Sequence, residues 1–160
     1  MSSQDMDESL DETWMRCALA EADSAAAAGD VPIGAIIVRD DGVILARAGN
    51  RREQDHDPTA HAEILALRGA AVGRGHWRLH DCTMYVTLEP CLMCAGALVN
   101  ARLRRLVYAA HDPKAGAIES LYRVAEDKRL NHRYPWRSGV LEGESVERLQ
   151  AFFRRLRAEG

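Results

Sequence analysis

His61-Ala62-Glu63 and Cys91-Leu92-Met93-Cys94 bring together three side chains of the kind that hold zinc and one carboxylate beside them. Structural zinc sites close a tetrahedron with four protein ligands, whereas catalytic sites leave one position for water. One imidazole and two thiolates leave that position open, and Glu63 is then the natural group to move the water's protons. Zinc in such a site lowers the pKa of water from 15.7 to about 7, and a carboxylate off the metal can carry the released proton to a leaving group.

The spacing restricts how these residues can meet. Cys91 and Cys94 stand at i and i+3, so on the first turn of a helix their sulfurs share a face. The positive end of that helix favours thiolates and hence metal binding. His61 and Glu63 are two apart and would diverge in mid-helix. They converge only in a first turn, with the metal just beyond the helix end. Asp57-Pro58-Thr59 offers that start, Asp57 as cap and Pro58 in the first turn. The pattern predicts two helix N-termini aimed at one ion. A closed structural site would need a fourth ligand from His56, His76, His80, His111 or His132, and none pairs with His61 at a zinc-finger spacing. A redox C-x-x-C would leave His61-Ala62-Glu63 unexplained.

The elements that must hold the motif follow from periodicity. Residues 1–9 read as a flexible acidic tail and residues 10–160 as one domain, the usual organisation for this length. Leu10, Trp14, Cys17-Ala18 and Ala25 recur at helical spacing up to Gly29. Val31 to Val38 and Val43 to Ala48 form a hairpin through Asp40-Asp41-Gly42. A helix through Ile64, Leu65 and Leu67, a strand from Thr83 to Leu88, a helix from Pro90 and a strand from Leu106 to Ala110 come next. Ile118 to Leu130 is expected to be helical. Pro135 confines any strand after it to an edge, or delays it to near Val140. Val146, Leu149, Phe152, Phe153 and Leu156 mark the apolar stripe of a last helix. This order predicts an α/β fold with a mixed sheet covered by helices on both faces.

Composition narrows the setting. No run nears the roughly 18 apolar residues of a membrane span. The acidic start has no secretory pattern, so the cytoplasm is the expected location. Cys17 and Cys82 sit in apolar contexts and read as core residues. The net charge is -3, yet residues 1–30 hold eight acids and one arginine, while residues 100–160 hold thirteen bases and eight acids. A positive last third accommodates a polyanionic partner, although solvated helix faces would look the same.

The H-x-E…P-C-x-x-C pattern is that of the zinc-dependent base deaminases. The longer strings Val31-Pro32-Ile33-Gly34-Ala35, Asp57 to Glu63, Tyr85 to Ala97, and Asn131-His132-Arg133, with Phe152-Phe153-Arg154, resemble bacterial tRNA-specific adenosine deaminases over roughly Glu12 to Arg157. The resemblance implies a three-layer, cytidine-deaminase-like fold with a five-stranded sheet, one zinc per subunit, a homodimer, and conversion of the anticodon wobble adenosine to inosine. It assigns His61, Cys91 and Cys94 to the metal and Glu63 to proton transfer. Asn50, Leu88, Asp112 and Lys114 fall to substrate contact, and Asn131, Phe153 and Arg154 to the anticodon stem-loop. Without the family, Asn50 reads as a strand-end turn residue and Phe153 as core. His111, Tyr134-Pro135-Trp136-Arg137-Ser138 and the acidic start depart from the family wording. Two other functions share the motif: deamination of a free base or nucleoside, and an RNA-binding subunit without chemistry, for which Glu63 would have no use.

Overall fold

Side chains of a strand point alternately to opposite faces, and in this chain both faces are apolar, so both are covered. The computed structural model describes residues 2–160. Its five strands are β1 (Gly34–Arg39), β2 (Ile44–Gly49), β3 (Cys82–Leu88), β4 (Arg105–Ala110) and β5 (Trp136–Arg137), in the order β2-β1-β3-β4-β5. β1 runs antiparallel to β2 and β3, whereas β3, β4 and β5 are parallel. Ala35, Ile37, Met84, Val86, Leu106 and Tyr108 face α2 (Ala62–Arg74) and α3 (Leu92–Asn100). Ile36, Val38, Tyr85, Val107 and Ala109 face the other way, toward α1 (Ser3–Ala27) and α4 (Glu142–Glu159). The expected mixed sheet between two helical layers is present. Gly34 lets α1 lie directly on β1, since a Cβ there would stand 2.0 Å from the Ala18 carbonyl oxygen.

Three elements differ from the sequence reading. α1 begins at Ser3 rather than Leu10, so residues 3–9 belong to a helix instead of a tail. Ser2 and Asp5 form a reciprocal capping box that starts it. α2 begins at Ala62, because Asp57 makes a local turn with Thr59 (Thr59 N–H to Asp57 Oδ1, 2.8 Å) rather than capping a helix. Residues 118–130 contain only a short 3-10 turn, Val124–Glu126. The amides of Ile118, Glu119 and Ser120 go to the Glu89 carboxylate, and those of Leu121 and Val124 go back to the Gly116 and Ala117 carbonyls, so no helical ladder forms. β5 takes the sheet edge, as Pro135 requires, but directly after it and not near Val140.

Asp11 of α1 anchors the α1 layer to the sheet. Its buried carboxylate accepts from Arg105 at 2.9 and 2.8 Å, from Arg137 at 2.8 Å and from the Tyr85 hydroxyl at 3.0 Å. Burial pushes this carboxyl up, but Arg105 and Arg137 outweigh it and hold it below the ordinary value of 3.8. A depressed folded pKa adds stability above the unfolded pKa and loses it as pH falls through the folded one. Asp11→Asn should therefore lower stability at pH 7 by roughly 2–3 kcal/mol, less than a fully buried pair would lose because both arginines are about a third exposed. Urea unfolding at several pH values checks this: the gap between wild type and variant should shrink as pH falls below about 4.

Candidate metal centre and active site

Helix N-termini normally carry a Ser, Thr, Asp or Asn cap. Here the N-cap of α2 is His61 and that of α3 is Cys91, both in extended backbone and neither making a side-chain cap hydrogen bond. β3 delivers Cys91 through Glu89-Pro90. The loop before α2 is tied down by Arg51 N–H to the Ala60 carbonyl and by buried Asp30, which accepts from the Glu53 and Gln54 amides. The two caps face each other. His61 Nδ1 stands 3.5 Å from the sulfurs of both Cys91 and Cys94.

Those distances test the fit of a metal. Zn–S of about 2.3 Å and Zn–N of about 2.0–2.1 Å at tetrahedral angles place sulfur and nitrogen about 3.5 Å apart. The three ligand atoms all lie within 4.8 Å of one another, and among the described residues this is the one such meeting of His, Cys, Asp or Glu groups. The donor set and its spacing fit zinc. Its hydrogen bond with Cys94, and then that with His61, holds the Cys91 thiol down at about 4. Cys94 moves the opposite way, pushed up first by Cys91 and then by burial. None of the other five histidines joins the cluster: His111 lies between Glu119 and Glu142, and His132 pairs with the Leu103 carbonyl.

Glu63 sits in the first turn of α2, 4 % exposed, beside the ligands but outside their cluster. Burial pushes its carboxyl above the ordinary value of 4.5, against smaller downward pulls from its own backbone amide and then from His61. A buried carboxyl whose pKa is raised is better able to hold a proton and hand it on.

The remaining sequence-predicted residues divide into groups. Asn50 directly follows β2, buried, its Oδ1 accepting from the Arg52 amide at 3.3 Å next to the loop that leads to His61. Leu88 is the half-buried last residue of β3. Asp112 and Lys114 follow β4 at the same end of the sheet, Asp112 Oδ1 accepting from the Lys114 amide at 3.1 Å. Lys114 lines an open cleft with His111, Phe153, Arg154 and Arg157. Phe153 is 41 % exposed, so its reading as a core residue fails, and Phe152 is the buried member of the stripe. Asn131 is exposed and does not line that cleft; its neighbour His132 is bound to Leu103, ahead of β4.

The basic last third is not one patch. Arg105 and Arg137 are engaged by Asp11, Arg148 by Asp23 and Arg129 by Asp127. Lys114, Arg154 and Arg157 line one cleft between α4 and the segment after β4. Asp30 and Glu89 had escaped sequence reasoning. The signal for Glu89 was an acid wedged between a buried strand and Pro90-Cys91.

Purified protein should carry close to one zinc per chain. His61→Ala, Cys91→Ser and Cys94→Ser should each lose most of it, while Glu63→Ala should keep it. Elemental analysis after dialysis decides the point, and zinc retained by Cys94→Ser would contradict the assignment.

The family profile of the MafB19-like deaminases matches residues 9–157. The chain is 46 % identical to the tRNA-specific adenosine deaminase of Haemophilus influenzae, over 94 % of its own length and 87 % of the relative's. It is 48 % identical to that of Bacillus subtilis, over 92 % and 91 %. A solved structure from studies of A-to-I editing by tRNA:A34 deaminases superposes with a TM-score of 0.82 at 48 % identity, covering 86 % of this chain and 99 % of that one. A guanine deaminase from Nitrosomonas europaea shares the fold at a TM-score of 0.77 and 25 % identity, over 88 % and 83 %. By sequence and by its cytidine-deaminase-like fold, this chain is a member of the MafB19-like deaminases and belongs with the tRNA-specific adenosine deaminases.

Proposed function

We propose that this protein is a zinc-dependent tRNA adenosine deaminase, a hydrolase that converts the wobble adenosine of an anticodon, in an arginine tRNA, to inosine and ammonia. The observation that carries this reading is the three-ligand cluster at zinc spacing with a buried carboxylate beside it and outside it. His61, Cys91 and Cys94 would hold the ion, one per subunit. When bound, zinc would supply the Lewis acidity that makes water reactive at neutral pH.

The chain's own residues do the rest. Glu63 takes a proton from the water whose oxygen bonds to adenine C6, and returns it to the exocyclic nitrogen. The C6–N bond then breaks, ammonia departs and C6 keeps the oxygen. The raised carboxyl of Glu63 suits both halves of this relay. Asn50, Leu88 and the segment holding Asp112 and Lys114 would wall the nucleotide. A splayed base in a single-stranded loop enters such a pocket at smaller unstacking cost than one in a duplex. Exposed Phe153 beside Arg154, Arg157 and Lys114 provides an aromatic platform and cations for loop phosphates. Asn131 is assigned to the RNA by the resemblance, as is the homodimer. Four free thiols agree with a reducing cytoplasm, and no helix is long and apolar enough to cross a membrane.

Two expected outcomes follow. With an arginine-tRNA anticodon stem-loop bearing adenosine at the wobble position, the zinc-loaded protein should release inosine and ammonia in equal amounts. Glu63→Gln should lower kcat by about 10²–10⁴ with zinc retained. Turnover of free guanine or cytosine in place of the stem-loop would replace this reading by the small-substrate one. Separately, Lys114→Ala and Arg154→Ala should each weaken stem-loop binding and reduce the slope of log K against log salt by about one, as loss of one phosphate contact does. Fluorescence anisotropy at several salt concentrations measures it.

A further inference from the structure

The proton relay and the metal use His61, Glu63, Cys91 and Cys94, and leave a second buried acid next to them without a role. Glu89 lies between the end of β3 and the N-cap of α3 and is 2 % exposed. Among the described residues no cation pairs with it. Its Oε1 accepts from the Asp112 amide at 3.0 Å and the Ser120 hydroxyl at 2.5 Å. Its Oε2 accepts from the amides of Ile118, Glu119 and Ser120 at 3.0, 2.8 and 3.0 Å. One carboxylate thus takes five hydrogen bonds from both ends of a single loop.

The loop is pressed onto the metal-binding turn at the same point. Gly116 bridges Cys91, and the Ala117 amide donates to the Pro90 carbonyl at 2.8 Å. A Cβ on Gly116 would stand 2.3 Å from Glu89 Cδ, so the carboxylate fills the space that any larger residue at 116 would need. Hydrogen bonds to a charged acceptor are worth about 1.5–3 kcal/mol each, and an acid accepting several backbone amides is a strong local organiser.

We propose that Glu89 is a positioning residue, whose carboxylate gathers the amides of residues 112–120 and so holds the loop bearing Asp112 and Lys114 against the metal ligand Cys91. Glu89 touches neither substrate nor metal and acts through that loop. Its consequence for the reaction rests on the deaminase reading, but the loop docking does not. Glutamine at position 89 would present an NH2 group to amides that themselves donate, so neutral isosteric replacement should release the loop.

The test uses zinc-loaded full-length protein and two variants, Glu89→Gln and Gly116→Ala, the second of which disturbs the same contact from the loop side. Hydrogen exchange should accelerate about tenfold or more at the amides of Asp112, Ile118, Glu119 and Ser120 in each variant, with β1 and β3 unchanged. Steady-state kinetics on the stem-loop should show KM raised about tenfold and kcat changed less than threefold, and the double variant should fall well short of the product of the two effects. Unchanged exchange at these amides in both variants, or wild-type KM in variants that are merely less stable, would overturn the proposal. Should Glu89→Gln fail to fold, Gly116→Ala alone decides it on the same readouts. Faster exchange in a protein whose wild type makes no inosine would support the docking role and reject only the assigned reaction.

Discussion

α2 and α3 start at the same place, and both do so without a side-chain cap. His61 and Cys91 occupy positions where Ser, Thr, Asp or Asn would each add about 1 kcal/mol. Two positive helix ends facing each other also repel. The Cys91 thiol, held low, relieves that repulsion, and a divalent cation bound between the sulfurs and His61 would complete the charge balance. The local rule for helix starts is broken twice at one point, which is the usual mark of a functional site.

The sheet exists in this chain to bring those two starts together. β3 and β4 run parallel and end at the same edge, so the turn after Leu88 and the segment after Ala110 emerge side by side. β1, antiparallel to β3, brings the β2 end and hence Asn50 to that edge as well. Buried acids then fix what the strands leave loose: Asp30 on the loop before His61, and Glu89 on the loop after β4. Asp11 does the same for the α1 layer through Arg105 and Arg137, the latter from the segment whose wording departs from the family.

The metal motif was legible because its chemistry demands particular residue types at fixed spacing, and the convergence of His61 and Glu63 in a first turn followed from geometry. The starting residue of that helix was not legible. Asp57-Pro58-Thr59 has cap-like chemistry, but Asp57 satisfies Thr59 locally and the chain runs on to Ala62. The expected helix over 118–130 failed for a different reason. Its apolar spacing is helical, yet after the three amides taken by Glu89 those of Leu121 and Val124 pair with Gly116 and Ala117 instead of residues four earlier. Phe153 followed the stripe of α4 in sequence, but the helix buries Ser145 and Phe152 and leaves Phe153 exposed. Periodicity finds which residues could be covered. Only the packing of the layers settles which of them are.

We propose that one cation is held by His61, Cys91 and Cys94, with Glu63 beside it and not bound to it. X-ray absorption at the zinc edge of the purified protein examines that claim most directly. Two sulfurs at about 2.3 Å and a single imidazole are predicted, with Glu63→Gln leaving the spectrum unchanged. A third sulfur, a second imidazole, or a coordination sphere altered by Glu63→Gln would contradict it.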